Sequence, residues 1–168
     1  MNRKPQISCR KASLKDFEEI CRLRSQLAND PEDRYTTEFA SYEPKADSTW
    51  IRKCLQDRQR VILVAEDKNG ICAHAIIVIE TVPKKAQKYY TYRKKALLVH
   101  LYVAIKQRHE GIGTVLLDYT LKFLKQRNVE FVDLECHVKN TKADGLYKKL
   151  KFTHEYFKER FDLTKMSL

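Results

Sequence analysis

The segment Arg108–Gly113 reads R-H-E-G-I-G and contains two of the four glycines in the 168-residue chain. It lies between the apolar run Ala96–Ile105 and a stretch with apolar residues at helical spacing. Glycines let a backbone approach a ligand closely, and the first amides of a helix have no intrahelical partner. The segment therefore predicts a site for an anion such as a phosphate group, although a glycine pair at a helix start also occurs as plain turn chemistry.

Two established phosphate-binding motifs do not fit this segment. The P-loop requires a Lys-Ser/Thr pair after its last glycine, whereas Gly113 is followed by Thr114-Val115. The dinucleotide fingerprint requires G-x-G-x-x-G on an early βαβ unit, and this chain has a single G-x-G late in its sequence. Both motifs are thereby excluded.

Other short motifs accompany the glycine segment in a fixed order. They are Leu101-Tyr102-Val103, then R-x-x-G-x-G-x-x-L-L from Arg108, then Leu134-Glu135-Cys136, and then Asn140-x-x-Ala143-x-x-Leu146-Tyr147-x-x-Leu150-x-Phe152. In order and spacing this series resembles the GNAT superfamily of N-acetyltransferases, and the match covers about residues 96–153. The resemblance implies a single N-acetyltransferase domain over residues 1–168, with acetyl-CoA as co-substrate and no metal.

The resemblance also implies roles for individual residues. In the family, the strand that ends near Val103 offers backbone groups to the pantetheine arm, and the amides from Arg108 to Thr114 hold the pyrophosphate. Tyr147 resembles the tyrosine that acts as general acid toward the leaving thiolate, although a tyrosine packed in the core would also fit its setting. The positions that match the family's cofactor contacts are Leu101, Tyr102, Val103, Arg108, His109, Glu110, Gly111, Ile112, Gly113, Thr114, Asn140, Ala143 and Tyr147.

Acetyl transfer to an amine also requires a base, because an amine with a pKa of roughly 10.4 is almost wholly protonated at neutral pH. Glu135 is the first candidate, since it resembles the proposed base of ribosomal-protein alanine acetyltransferases, although a solvent-facing glutamate explains it equally well. Glu80, His100 and His137 remain alternatives, in that order.

Two residues depart from the family pattern. Lys151 stands where the family usually has a glycine before the phenylalanine, so we expect the turn after the last helix to differ or to be strained. Glu110 stands where a basic residue is common, and it places a negative charge beside the expected pyrophosphate. Neither change removes a backbone donor, so we expect weaker cofactor binding rather than none.

The remaining pattern predicts an α/β fold, with a mixed, twisted sheet of about six to seven strands flanked by about four helices. Ser13 and Asp16 form a capping-box-like start for the first helix. The predicted strands are Ile7–Lys11, Arg60–Asp67, Ile71–Val82, Ala96–Ile105, Glu130–Val138 and one or two within Phe152–Leu163. The predicted helices begin near Ser13, Asp47, Gly111 and Asn140, and a loop or weak helix is expected over residues 29–44.

The composition indicates which partners the protein has and where in the cell we expect it. The five cysteines are scattered and never spaced as C-x-x-C, which argues against a disulfide framework or a zinc site. The chain has no long apolar run and does not open like a signal peptide, so we expect a cytoplasmic protein that contacts no membrane.

The net charge of +11 invites nucleic acid as a partner, and Lys84–Lys95 mixes basic and aromatic residues. A solvated loop is the commoner explanation, so at this level we do not expect nucleic-acid binding. The expected acceptor is a small-molecule or peptide amine, and a homodimer is left open. A GNAT-fold module that binds acetyl-CoA without turnover is the main alternative.

Overall fold

The computed structural model describes residues 6–30 and 44–155. Their five strands form one sheet in the order β1-β2-β3-β4-β5, with antiparallel neighbours except for the parallel pair β4 and β5. The strands are β1 (Ser8–Lys11), β2 (Arg60–Asp67), β3 (Gly70–Thr81), β4 (Lys94–Val103) and β5 (Phe131–Leu134). The predicted mixed α/β sheet is confirmed.

The number of strands is lower than the predicted six to seven. All of this difference falls on Phe152–Leu163, because residues 152–155 form no strand and residues 156–168 lie outside the described part of the chain. The strand β5 is also shorter than predicted, since it ends at Leu134 and not near Val138. Beyond Leu134 the chain turns toward the next helix and leaves the neighbouring strand β4.

Four α-helices flank the sheet, as predicted. They are α1 (Phe17–Ala28), α2 (Pro44–Gln56), α3 (Ile112–Lys125) and α4 (Thr141–Lys149). The predicted loop or weak helix at 29–44 lies almost wholly outside the described residues. The predicted strand Ala96–Ile105 begins two residues earlier, as β4, and is followed by a 3-10 turn at Ile105–Gln107.

Strand alternation divides the core between the two faces of the sheet. Along β2, Leu63 packs with Leu116 of α3, while Ile62 and Val64 pack against α1 and α2. Leu63, Leu116 and Val64 are fully buried. The two helical layers are thus held on opposite faces by alternate side chains of the same strands.

The start of α1 follows the predicted capping box. The Asp16 carboxylate accepts the Ser13 N–H at 2.7 Å, and the Ser13 hydroxyl accepts the Lys15 N–H at 3.3 Å. The box begins a short 3-10 turn, Leu14–Asp16, that leads directly into α1. Asp16 also accepts two hydrogen bonds from Arg10 of β1, so the cap ties α1 to the edge of the sheet.

Candidate active site

An irregularity in β4 opens the centre of the sheet. Ile76 of β3 faces His100, while the next residue, Ile77, faces Leu98, so Val99 is an extra residue on β4. The parallel pairing with β5 extends only to Leu98. From Val99 to Val103 the edge of β4 away from β3 therefore has no strand partner among the described residues. Backbone groups along this edge, including those of the predicted Leu101, can bind an extended ligand, whereas the backbone of the predicted Tyr102 faces His74 of β3.

The glycine segment forms a turn between β4 and α3. Gly111 is the N-cap of α3 and has φ +82°, and His109 has φ +67°, so the backbone turns through two left-handed residues before the helix starts. A Cβ atom on Gly111 would meet nothing within 4 Å. The amides of Ile112, Gly113 and Thr114 form the first turn of α3 and have no intrahelical acceptor. This open, amide-rich corner fits a pyrophosphate.

The side chain of Arg108 points away from this corner. Its Nε donates to the Val103 carbonyl at 3.1 Å, and its Nη2 contacts Asp30 Oδ2 at 2.5 Å. The guanidinium also lies over the Tyr102 ring, 5.4 Å from its centroid. Asp30 is 2% exposed, so the charge of Arg108 is balanced inside the protein. Arg108 can therefore contact a ligand at the glycine turn through its backbone.

Three elements converge beside the glycine turn. A Cβ atom on Gly113 would lie 3.5 Å from Leu146 of α4 and 3.6 Å from Val103 at the end of β4. The Asn140 side chain caps α4 by accepting the Ala143 N–H at 3.1 Å. The structure thus brings the end of β4, the glycine turn and α4 together at Gly113.

Tyr147 lies on α4, half-buried against the core on the α3 side of the sheet. Its ring centroid is 5.8 Å from that of Phe152. The backbone that places Phe152 there passes through Lys151, whose φ is +66°. The Lys151 N–H donates to Lys148 and the Phe152 N–H donates to Tyr147, each at 3.0 Å. This is a Schellman turn, so the expected strain at Lys151 is confirmed and comes from a left-handed lysine.

The carboxylate candidates for the base occupy different surroundings. Glu135 is exposed directly after β5, at the mouth of the open edge of β4. The Glu80 side chain is 56% exposed and lies 3.8 Å from Lys95 Nζ. Burial would raise the pKa of a carboxyl toward a value useful for a base, but Glu80 lies near the end of β3, where it reaches water.

The histidine candidates are held in different ways. His137 lies in the turn before α4, where its Nδ1 accepts the Lys139 N–H at 3.2 Å. His100 follows the extra residue of β4 and packs edge-on against Trp50, at 5.8 Å between ring centroids. Burial, together with the nearby charge of Arg24, lowers the pKa of His100 to about 4. His100 is therefore neutral at pH 7 and would accept a proton only weakly.

Three groups for which the sequence predicted no role line the same face of the sheet as His100. His74 of β3 is fully buried beside Tyr102, and burial lowers its pKa well below the ordinary value. Arg24 of α1 and Asp47 of α2 form an ion pair at 2.7 Å. The signal for His74 was visible, because it interrupts an apolar strand. The local sequence does not indicate that Arg24 pairs with Asp47, because the two residues are 23 positions apart.

The family of the chain follows from a sequence comparison. The model of the acetyltransferase (GNAT) family matches residues 24–152. The chain belongs to this family. An N-alpha-acetyltransferase of Sulfurisphaera tokodaii is 34% identical over 99 residues, which are 58% of this chain and 59% of that protein. The chain thus matches under two thirds of the length of this relative.

Solved structures of other proteins share the fold of this GNAT chain. A variant of the BH1408 protein from Bacillus halodurans superposes with a TM-score of 0.81 at 23% identity, covering 93% of this chain and 99% of that one. A predicted acetyltransferase from Clostridium acetobutylicum, solved with acetyl-CoA, gives a TM-score of 0.72 at 22% identity, covering 96% and 99%. At these identities the likeness concerns the fold alone.

Two features are absent from residues 6–30 and 44–155. No helix there is both long and apolar enough to cross a membrane. No group of three or more His, Cys, Asp or Glu side chains there is placed to hold a metal ion.

Proposed function

We propose that the protein transfers the acetyl group of acetyl-CoA to a primary amine of a small molecule or peptide, by direct attack within a ternary complex. The observation that carries this proposal is the edge of β4 from Val99 to Val103, which has no strand partner among the described residues and leads into the glycine turn at the start of α3. Membership of the GNAT family and the N-alpha-acetyltransferase relative support it.

The chain supplies the two contacts that acetyl-CoA needs. The amides from Gly111 to Thr114 would hold the pyrophosphate, where the positive end of the α3 dipole adds a favourable field. The backbone of Leu101 and Val99, on the open edge of β4, would hold the pantetheine arm. Acetyl-CoA itself supplies an acetyl group activated as a thioester.

The proton transfers are assigned to two side chains. Glu135 would accept a proton from the acceptor amine, through water because its carboxylate is exposed. The Tyr147 hydroxyl would donate a proton to the leaving sulfur from the opposite side of the open edge. Tyr147 is held for this task by α4 and by its contact with Phe152.

The first measurement is a calorimetric titration with acetyl-CoA, repeated with an ADP-type fragment that retains only the pyrophosphate end. We expect micromolar or tighter binding, with an appreciable share recovered by the fragment. If acetyl-CoA binds but no amine is acetylated, the GNAT-fold binding module replaces the enzyme as the function. If acetyl-CoA does not bind, the cofactor site is wrong.

The acid assignment is tested by Tyr147→Phe, which removes one hydroxyl and keeps the ring. We expect kcat to fall by about 10²-fold or more, the usual scale for a general acid, while the acetyl-CoA Kd stays within twofold. Tyr119→Phe on α3 is the matched control, because Tyr119 packs against Phe123 at 6.4 Å between ring centroids, away from the open edge. Equal turnover in both variants would refute the role of Tyr147.

The base assignment is tested by Glu135→Gln against Glu80→Gln. We expect only the first substitution to lower kcat, and the loss to shrink as pH rises toward the pKa of the amine, because less deprotonation is then required. The Glu80→Gln variant keeps wild-type kcat if the Lys95 pair is its only role. A loss in the second variant alone would move the base to Glu80.

A further inference from the structure

The loop that connects β3 to β4, residues 82–93, presents aromatic rings to solvent. Its first half is a 3-10 helix, Lys84–Tyr89. Tyr89 is 76% exposed and the adjacent Tyr90 is 50% exposed. Tyr89 has Lys88 Nζ above its ring, 4.8 Å from the centroid. Two neighbouring tyrosines at this exposure indicate a contact surface, since isolated apolar exposure is ordinary but a cluster is not.

Cations surround these rings. Lys84, Lys85, Lys88 and Arg93 are all exposed, and none of them forms an ion pair with a carboxylate of the described residues. The sequence contains no Asp or Glu between Glu80 and Glu110. The loop therefore carries three lysines with no carboxylate partner among the described residues, and a fourth cation, Arg93, whose charge is partly offset by Glu130. This excess of positive charge is the electrostatic requirement for binding phosphates.

Three carboxylates lie at the border of the loop, and each has contacts of its own. Glu130 accepts the backbone N–H groups of Arg93 and Lys94 at 2.7 and 3.0 Å. Glu80 and Asp133 both lie near Lys95 Nζ, at 3.8 and 3.3 Å. Glu80 and Asp133 neutralise Lys95 and leave the charges of the loop lysines Lys84, Lys85 and Lys88 unbalanced.

The rings continue in a row from the loop onto the sheet. Tyr90 and Tyr92 are 5.4 Å apart between ring centroids, and Tyr92 and Phe131 are 5.6 Å apart. Phe131 is 52% exposed. Aromatic faces interleaved with cations provide stacking for bases and contacts for phosphates at the same time.

We propose that this surface, defined by Lys84, Lys85, Lys88, Tyr89, Tyr90 and Arg93, binds single-stranded nucleic acid. Unpaired bases can reach the exposed rings, whereas the bases of a duplex are stacked on one another and offer only phosphates. An acidic protein would match the cations but would leave two exposed rings unexplained.

The surface lies at the opposite end of β4 from the glycine turn. The strand β4 runs for ten residues from Lys94 to Val103, and at about 3.3 Å per residue it spans about 30 Å. Nucleic acid on the loop and acetyl-CoA at the start of α3 therefore need not compete. The inference consequently stands or falls independently of acetyl transfer.

The test is fluorescence anisotropy with labelled 20-nucleotide dT and U oligomers, a 20-base-pair duplex and a poly-glutamate peptide, over a series of salt concentrations. We expect the single strands to bind more tightly than the duplex, and log K to fall with log salt by about 0.7 for each phosphate contact. Four contacts give a slope of about −3. Tyr89→Ala and Tyr90→Ala should each weaken single-strand binding about fivefold or more.

Matched variants separate stacking from charge. Tyr89→Phe and Tyr90→Phe keep the rings and should keep the affinity, while Lys84→Glu, Lys85→Glu and Lys88→Glu together should abolish it. Lys15→Glu, Lys53→Glu and Lys68→Glu make the same charge change on exposed lysines outside the loop and should reduce binding far less. All variants are first checked for wild-type thermal unfolding. The proposal is overturned if no single strand binds at low salt, if the Tyr→Ala variants bind normally, or if duplex or poly-glutamate binds as well as the single strands.

Discussion

Gly111 and Gly113 lie two residues apart at the start of α3, but they contribute different properties. Gly111 has φ +82°, a conformation that an L-residue with a side chain adopts only under strain, and the space beside it is open. Gly113 is helical, and a Cβ there would make ordinary contacts with Leu146 and Val103 at 3.5 and 3.6 Å. The first glycine is needed for the turn, whereas the second is replaceable by alanine.

We therefore expect Gly111→Ala to weaken acetyl-CoA binding by about tenfold, because a left-handed alanine costs about 1–2 kcal/mol and relaxing it moves the amides of the turn. Gly113→Ala is the matched control and should leave the Kd within about threefold. Calorimetric titration of both variants measures the difference. Equal losses of affinity in both variants would mean that a close approach of the ligand to the backbone, and not the left-handed turn, determines the acetyl-CoA Kd.

Lys151 is the second residue whose backbone conformation carries a cost. The Schellman turn at the end of α4 requires a left-handed residue, and lysine adopts it with φ +66°. Lys151→Gly should raise the free energy of unfolding by about 0.5–1 kcal/mol, since relief of the strain exceeds the added entropy of the unfolded chain.

The control for this prediction is Lys149→Gly, the same replacement at the last residue of α4, where the backbone is helical. It should lower stability by about 0.5 kcal/mol, because glycine is less favourable than lysine at a helical position. Urea unfolding of the two variants should thus give opposite signs. A loss of stability in both would show that the Lys151 side chain makes contacts that outweigh the strain.

At the scale of elements, the network around Asp16 joins β1, β2 and α1. Arg10 donates to Asp16 at 2.8 Å and to Glu66 of β2 at 2.9 Å. The hydrogen bonds from Arg10, and then those from Ser13, lower the pKa of Asp16 to about 2. A carboxyl with a lowered pKa stabilises the fold above its unfolded pKa of about 3.9, and this contribution is lost as the pH falls toward 2.

Asp16→Asn removes the charge and retains an oxygen that can accept the Ser13 N–H. We expect this substitution to lower the free energy of unfolding by about 2 kcal/mol at pH 7 and by almost nothing near pH 2. The stability of the variant should therefore depend less on pH than that of the wild type between pH values of about 5 and 2. Asp118→Asn, at an exposed ion pair on α3, should leave the acid profile unchanged. Chemical unfolding as a function of pH provides the measurement.

Local signals predicted several elements well. The Ser13 and Asp16 box and the glycine start of α3 depend on residues within one turn of each other, so sequence spacing determines them. The extra residue Val99 could not be predicted, because it lies inside a continuous apolar run and adds no polar signal. The end of β5 at Leu134 was missed for a related reason, since residues 135–138 contain no glycine or proline that would mark the end of a strand.

The sequence predicted the backbone turn of the candidate site better than the direction of its side chains. The resemblance predicted that Asn140, Tyr147 and the glycine turn lie around one edge of β4, and the structure brings Gly113 beside Leu146 of α4 and Val103 of β4. It could not predict that Arg108 points inward, because its partner Asp30 is 78 residues away and belongs to no motif. Long-range ion pairs leave no periodic trace in a sequence.

At the scale of the whole molecule, the Arg108–Asp30 pair links the helices on the two faces of the sheet. Asp30 follows α1 on one face, and Arg108 precedes α3 on the other. The two partners are unequally buried, at 19% side-chain exposure for Arg108 and 2% for Asp30. Removal of one partner leaves the other charge in a poorly solvated place.

Arg108→Leu should accordingly destabilise the protein by about 3–5 kcal/mol, because it leaves a buried carboxylate without its counter-ion. Asp30→Asn should cost less, since the remaining guanidinium still reaches water and the Val103 carbonyl. The double variant should be more stable than Arg108→Leu alone. Urea unfolding of the three variants tests this order, and an additive double variant would show that the pair does not couple the two faces.

The short ladder between β4 and β5 also has a consequence for how the chain folds. Strands β2, β3 and β4 form successive hairpins, whose contacts are local in sequence and therefore quick to form. β5 joins only after α3 has closed a crossover, and it is held by four residue pairs. The groups assigned to acetyl transfer lie on the seam between this early meander and the late-docking segment of β5 and α4. We expect the active site to be the last part of the described chain to assemble, and the first to open when the protein begins to unfold.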